Sequence, residues 1–123
     1  MAIASPSDRG VDDRIPAHLE VTGLIRAVEG AGGFGMVLSK GERTAGTVMV
    51  ICCNRATPAR AYERMPQLDG TRKWVLSKEQ DPENPHDFSE WYQRRGAQDD
   101  DLWVVELDIA NAERFIDVAL HNG

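Results

Sequence analysis

The stretch Thr44-Ala-Gly-Thr-Val-Met-Val-Ile-Cys-Cys53 decides how this chain is read. From Val48 to Cys53 every position is apolar, so a strand built from it needs cover on both faces. It therefore reads as the central strand of a sheet with a layer on each side. The preceding run, Phe34 to Ser39, is expected to return to it as a hairpin partner, with Lys40, Gly41, Glu42 and Arg43 as turn material.

Upstream, Pro16 suits the first turn of a helix running to about Glu29. Ala17, Val21, Leu24, Ile25 and Val28 recur at helical spacing and mark the packed face, while His18, Thr22, Arg26 and Glu29 face outward. Gly23 weakens this helix by about 1 kcal/mol relative to alanine and is expected to allow close approach to the sheet. Gly30, Gly32 and Gly33 stop it. Their Gly-x-Gly spacing follows a helix and enters a strand, the reverse of a dinucleotide-binding turn, and no Lys-Ser/Thr pair follows. Residues 1–14 are rich in Ser, Pro, Asp and Gly and read as a flexible lead, leaving 15–123 as a single α+β domain.

Downstream, Arg60 to Arg64 reads as a third strand and Thr71 to Ser77 as a fourth, with Trp74 and Leu76 inward and Lys73 and Val75 on the other face. The connection Met65 to Gly70 carries the turn signal Asp69-Gly70. Asn84-Pro85-His86-Asp87 opens a second helix, with Asn84 as its cap and Pro85 in its first turn. Phe88, Trp91, Tyr92 and Arg95 form a stripe along it. Leu102 to Leu107 reads as a fifth strand. A last helix starts near Asp108 or Asn111, with Ile109, Ala112, Ile116, Ala119 and Leu120 on its packed side. The fold class is α+β, in the order α-β-β-β-β-α-β-α, with a five-stranded, mostly antiparallel sheet packed by two or three helices.

A chain of 123 residues fits one domain. Its net charge of −6, from 14 basic and 20 acidic residues, argues against general binding to nucleic acid or to anionic membranes. No run of 18 apolar residues offers a membrane span, and no secretory signal is visible, so the expected location is the cytoplasm. The two cysteines, Cys52 and Cys53, are neighbours on a strand and point to opposite faces, a poor geometry for a disulfide or a metal pair. They read as inert buried thiols. His18, His86 and His121 are scattered, so no metal site and no cofactor is expected.

Charge is divided along the chain. Lys40 to Leu76 holds seven basic and three acidic residues, whereas Ser77 to Asp108 holds three basic and ten acidic. One reading is two solvated faces that partly neutralise each other; the other is a basic surface for an anion or a partner. The residues singled out for binding are Arg64, Gln67, Asp69, Arg72 and Lys73. Pro66 restricts Met65 to extended geometry, Gly70 supplies positive φ, and the resulting turn presents Gln67 and Asp69 between two guanidinium groups. The alternative is that Asp69 caps its own turn while Arg64 and Arg72 pair with Glu63 or the acidic second helix. Glu63 and Asp69 are the candidate catalytic carboxylates, should they converge with the arginines.

Three stretches, RIPAHLEV (Arg14 to Val21), YERMPQLDGTRKW (Tyr62 to Trp74) and DLWVVELDI (Asp101 to Ile109), resemble a family of short alphaproteobacterial proteins, domain of unknown function 1491. The resemblance covers nearly all of the chain after residue 14. It implies a bacterial, single-domain, cytoplasmic protein and implies no activity.

The favoured reading is a small binding or regulatory module contacting another protein or itself, with a homodimer expected. Size, divided charge and the aromatic residues Trp74, Trp91 and Trp103 support it. An enzyme acting on a small phosphorylated or nucleotide-like substrate is second. Nucleic-acid binding is third, since it needs one continuous basic face.

Overall fold

The computed structural model describes residues 15–55 and 57–116. Helix α1 spans Ala17–Gly30 and is followed by strands β1 (Phe34–Ser39), β2 (Thr47–Asn54), β3 (Thr57–Pro66) and β4 (Arg72–Glu79). Helix α2 (Pro85–Gln98), strand β5 (Leu102–Asp108) and a short 3-10 turn, Ala112–Ile116, complete the described chain. The expected lead before residue 15 and the packing positions Ala119 and Leu120 lie outside the described residues.

The five strands form one sheet in the order β1-β5-β2-β3-β4, antiparallel throughout except between β2 and β5. The Thr44-to-Cys53 run thus supplies the middle strand. Its even positions Val48, Val50 and Cys52 enter the core beneath α1 with Val21, Val28, Tyr62, Trp103 and Val105. Its odd positions Met49 and Ile51 enter a second core beneath α2 with Ala61, Phe88, Leu102 and Val104. Full burial of each Val, Ile, Leu, Met or Phe among them stabilises the fold by about 1.5–3 kcal/mol.

One pairing differs from the sequence expectation. β1 is not the hairpin partner of β2: β5 lies between them, parallel to β2 and antiparallel to β1. Residues 40–46 instead pass over the start of β5. The amides of Glu42 and Thr47 both donate to the Asp101 carbonyl, and Trp103 Nε1 donates to the Glu42 carbonyl at 2.8 Å. A Cβ on Gly41 or Gly46 would lie 2.4 or 2.5 Å from the Asp101 oxygen, so only glycine lets the loop pass this close. β5 earns its interior place by being apolar on both faces, with Leu102, Trp103, Val104, Val105 and Leu107 all buried.

Smaller corrections share a cause, the gap between local pattern and tertiary setting. β3 is longer than expected and contains Pro58. β4 is an edge strand with a register irregularity opposite Ala61 and Tyr62, and Leu76 is 47% exposed rather than inward. Asn84 precedes α2 but its side chain makes no capping bond. Gly23 has nothing within 4 Å of a would-be Cβ, so no close approach requires it. The last helix is a 3-10 turn as far as Ile116. Trp103 is buried and Trp74 and Trp91 are partly buried, so the exposed apolar surface is made by other residues, notably Phe34, Met36 and Leu68. No helix among the described residues is long and apolar enough to cross a membrane.

Candidate functional site

Residues Arg64, Gln67, Asp69, Thr71, Arg72, Lys73 and Trp74, with Ile116 from the 3-10 turn, line one open cleft of about 650 Å³. The hairpin between β3 and β4 builds it. The Gln67 amide donates to the Thr71 carbonyl at 2.7 Å, and the Gly70 amide to the Gln67 carbonyl at 3.0 Å. Gly70 has φ of 90°, in the left-handed region that favours glycine. Asp69 Oδ1 accepts from the Thr71 hydroxyl at 2.7 Å and from the Thr71 amide at 3.0 Å. Those bonds, the hydroxyl first, hold the Asp69 carboxyl below its ordinary value. Asp69 thus caps its own turn.

Arg64 forms the inner wall. Its guanidinium makes two bonds to Glu20 of α1, Nη1 to Oε2 at 2.5 Å and Nη2 to Oε1 at 2.7 Å. It also lies over the Trp74 ring, 4.8 Å from the centroid. The expected partner of Arg64, Glu63 or the second helix, is therefore replaced by the first helix. Arg72 and Lys73 stand at the start of β4, Arg72 partly buried and Lys73 exposed.

Glu63 is not part of this cleft. It points to the other face of the sheet, where it accepts two bonds from Arg95 of α2, at 2.6 and 2.8 Å, and one from Ser77 Oγ at 2.6 Å. The Arg95 bonds are the main cause that keeps its carboxyl below the usual value, against the opposing effect of burial. Glu63 and Asp69 therefore do not converge, and the carboxylate pair of the catalytic reading does not form.

A second polar cluster lies on the α1 face and was not anticipated. Arg60 pairs with Glu113 of the 3-10 turn through Nη2 and, at 2.8 Å, through Nε. Tyr62 donates to the same carboxylate at 3.1 Å. Burial pushes the Tyr62 hydroxyl up to about 12. Only the tertiary fold joins residues 51 and 53 positions apart, so no local motif announces this cluster. Nearby, Cys52 and Cys53 face opposite sides and carry free thiols. Burial raises Cys52 to about 12, and burial together with its bond to Glu106 raises Cys53 as well. Among the described residues no group of three or more His, Cys, Asp or Glu side chains is placed to hold a metal ion. His18 Nδ1 donates to the Arg43 carbonyl at 3.0 Å, a structural role; His121 lies outside the described residues.

The family described as "Protein of unknown function (DUF1491)" matches residues 15–117. A crystal structure of a DUF1491 family protein from Caulobacter crescentus CB15 is similar at 28% identity, with 83% of this chain and 94% of that chain covered and a TM-score of 0.66. An NMR structure of a DUF1491 family protein from the same organism is similar at 30% identity, covering 82% and 91%, with a TM-score of 0.70. The solution structure of protein Atu0922 from A. tumefaciens is similar at 28% identity, covering 80% and 88%, with a TM-score of 0.60. No curated protein sequence matches the chain.

Proposed function

We propose that this chain, which belongs to the DUF1491 family of proteins of unknown function, is a small binding module whose cleft between the Met65-to-Arg72 connection and Trp74 receives an acidic group of a protein partner, another protein or a second copy. The observation that carries the reading is the composition of that cleft. Among the described residues Arg64, held by Glu20, stands in its wall with Gln67, Thr71, Arg72 and Lys73, and the carboxylate that lines it, Asp69, is engaged in its own turn. Guanidinium and ammonium groups beside an aromatic wall suit a carboxylate carried on an apolar stem, or a small anion such as phosphate.

The separation of Glu63 from Asp69 removes the paired-carboxylate arrangement on which the enzyme reading rested. The pairing of Arg60, Arg64 and Arg95 with carboxylates on two faces of the sheet weighs against a continuous nucleic-acid surface. A cytoplasmic setting goes with this reading.

The test is an amide chemical-shift titration with a tetraglutamate peptide at low salt. Shifts confined to residues 67–74, lost in Lys73→Glu and weakened by 0.3 M salt, are the expected result. No shift at millimolar peptide, or shifts elsewhere that Lys73→Glu leaves unchanged, overturns the proposal.

A further inference from the structure

The two edges of the sheet differ. β4 carries Arg72, Lys73, Lys78 and Glu79 and a register irregularity, the features by which edge strands resist pairing. β1, Phe34-Gly-Met-Val-Leu-Ser39, carries no charge and no proline, and its own register irregularity falls at Val37 to Ser39, leaving Phe34 to Val37 regularly paired with β5. Among the described residues nothing pairs along its outer edge.

Its side chains are placed unevenly. Gly35 faces α1, where a Cβ would meet Ile25 at 2.9 Å. Phe34 and Met36 face the opposite side and are 72% and 57% exposed. Across the strand, Phe34 stands opposite Asp108 and Met36 opposite Glu106. Phe34, Gly35, Met36, Glu106 and Asp108 together line an open hollow of about 320 Å³. An apolar ledge thus runs along an edge that no described residue pairs, with two carboxylates behind it.

We propose that β1 is a strand-addition site for an extended segment of another protein in which basic and apolar residues alternate. Backbone bonds along the outer edge of β1 hold such a segment, and alternate side chains set its specificity. A lysine or arginine on the hollow side lays its aliphatic stem across Phe34 or Met36 and brings its cationic end toward Glu106 or Asp108. The residues between turn to the other face, beside Val37, and are apolar. The charge of the hollow selects this partner over an acidic strand. This surface is separate from the basic cleft beside β4, which stands at the other end of the sheet.

The probe is the peptide acetyl-Lys-Val-Lys-Val-Lys-Val-amide, titrated into the full chain with amide shifts as readout. Expected are shifts and slowed amide exchange in residues 34–37, with smaller shifts at 106–108. Met36→Lys, at an exposed position, is expected to weaken binding at least tenfold while leaving the melting temperature unchanged, and Phe34→Ala to weaken it several-fold. The matching glutamate–valine peptide is expected to leave β1 unmoved. Three results overturn the proposal: no shifts in β1, equal binding of the glutamate peptide there, or β1 shifts that change on dilution of the protein alone, which would make a second copy the occupant.

Discussion

Glu63 and Arg64 are neighbours on β3 and are held by opposite layers of the molecule: Arg95 of α2 grips Glu63, and Glu20 of α1 grips Arg64. The alternation of a strand sends adjacent residues to opposite faces, so one dipeptide ties both helices to the same strand. Each pair is partly buried and bidentate, the geometry in which an ion pair contributes most. This arrangement separates residues that stabilise the cleft from residues available to a ligand.

Arg64→Ala is expected to cost about 1–3 kcal/mol, because it leaves the Glu20 carboxylate without its partner and removes the stack on Trp74. Lys73→Ala, at an exposed position, is expected to stay within about 0.5 kcal/mol of the unaltered chain. Urea unfolding of the two variants checks this. Equal stability of both would remove the structural role assigned to Arg64.

Glu63 also gives the fold a pH dependence of known sign. Its carboxyl titrates below the ordinary value near 4.5, mainly because Arg95 donates to the ionised form. The stabilisation is therefore full above that ordinary value and is lost as pH falls through the lower folded-state value. Glu63→Gln should cost about 1–2 kcal/mol at pH 7 and show a shallower loss of melting temperature below pH 4.5. A residual loss is expected, since Glu113 is also held low by Arg60 despite its burial. Identical acid profiles for the variant and the unaltered chain would refute the assignment.

Two glycines should respond in opposite directions. Gly41→Ala drives a Cβ to 2.4 Å from the Asp101 carbonyl and 2.6 Å from the Leu102 backbone, and is expected to destabilise by about 1–3 kcal/mol. Gly23→Ala adds a methyl to a helix interior with nothing within 4 Å, and is expected to stabilise by about 0.5–1 kcal/mol. Thermal melts of both variants decide it; a neutral Gly41→Ala would mean that the loop does not pass so close to β5.

The thiols should be chemically quiet. With Cys52 raised to about 12 and Cys53 raised as well, the thiolate is scarce at pH 8. Mass spectrometry after iodoacetamide treatment is expected to show no adduct on the native chain and two on the urea-unfolded chain. Rapid labelling of the native protein would contradict the burial of Cys52 and the hold of Glu106 on the partly buried Cys53.

The sequence by itself determined most elements of this protein. The two-sided apolar run of β2 marks the middle of a sheet, since any strand apolar at every position must be covered twice. The spacing of Ala17, Val21 and Val28 marks the packed face of α1, because a 3.6-residue period places them on one side. Asp69-Gly70 marks the turn that shapes the cleft, and the residues from Arg64 to Lys73 are close in space because they are close along one hairpin. Only the tertiary structure decided the strand order and the ion pairs. Seven residues between β1 and β2 resemble a hairpin turn, and no local signal says that β5, some 50 positions downstream, enters between them. That choice comes from burial: β5 is apolar on both faces and gains most from an interior position. The partners of Glu63, Arg64 and Arg60 were equally illegible, because Arg95, Glu20 and Glu113 lie more than 30 positions away and are selected by which helix covers which face of the sheet.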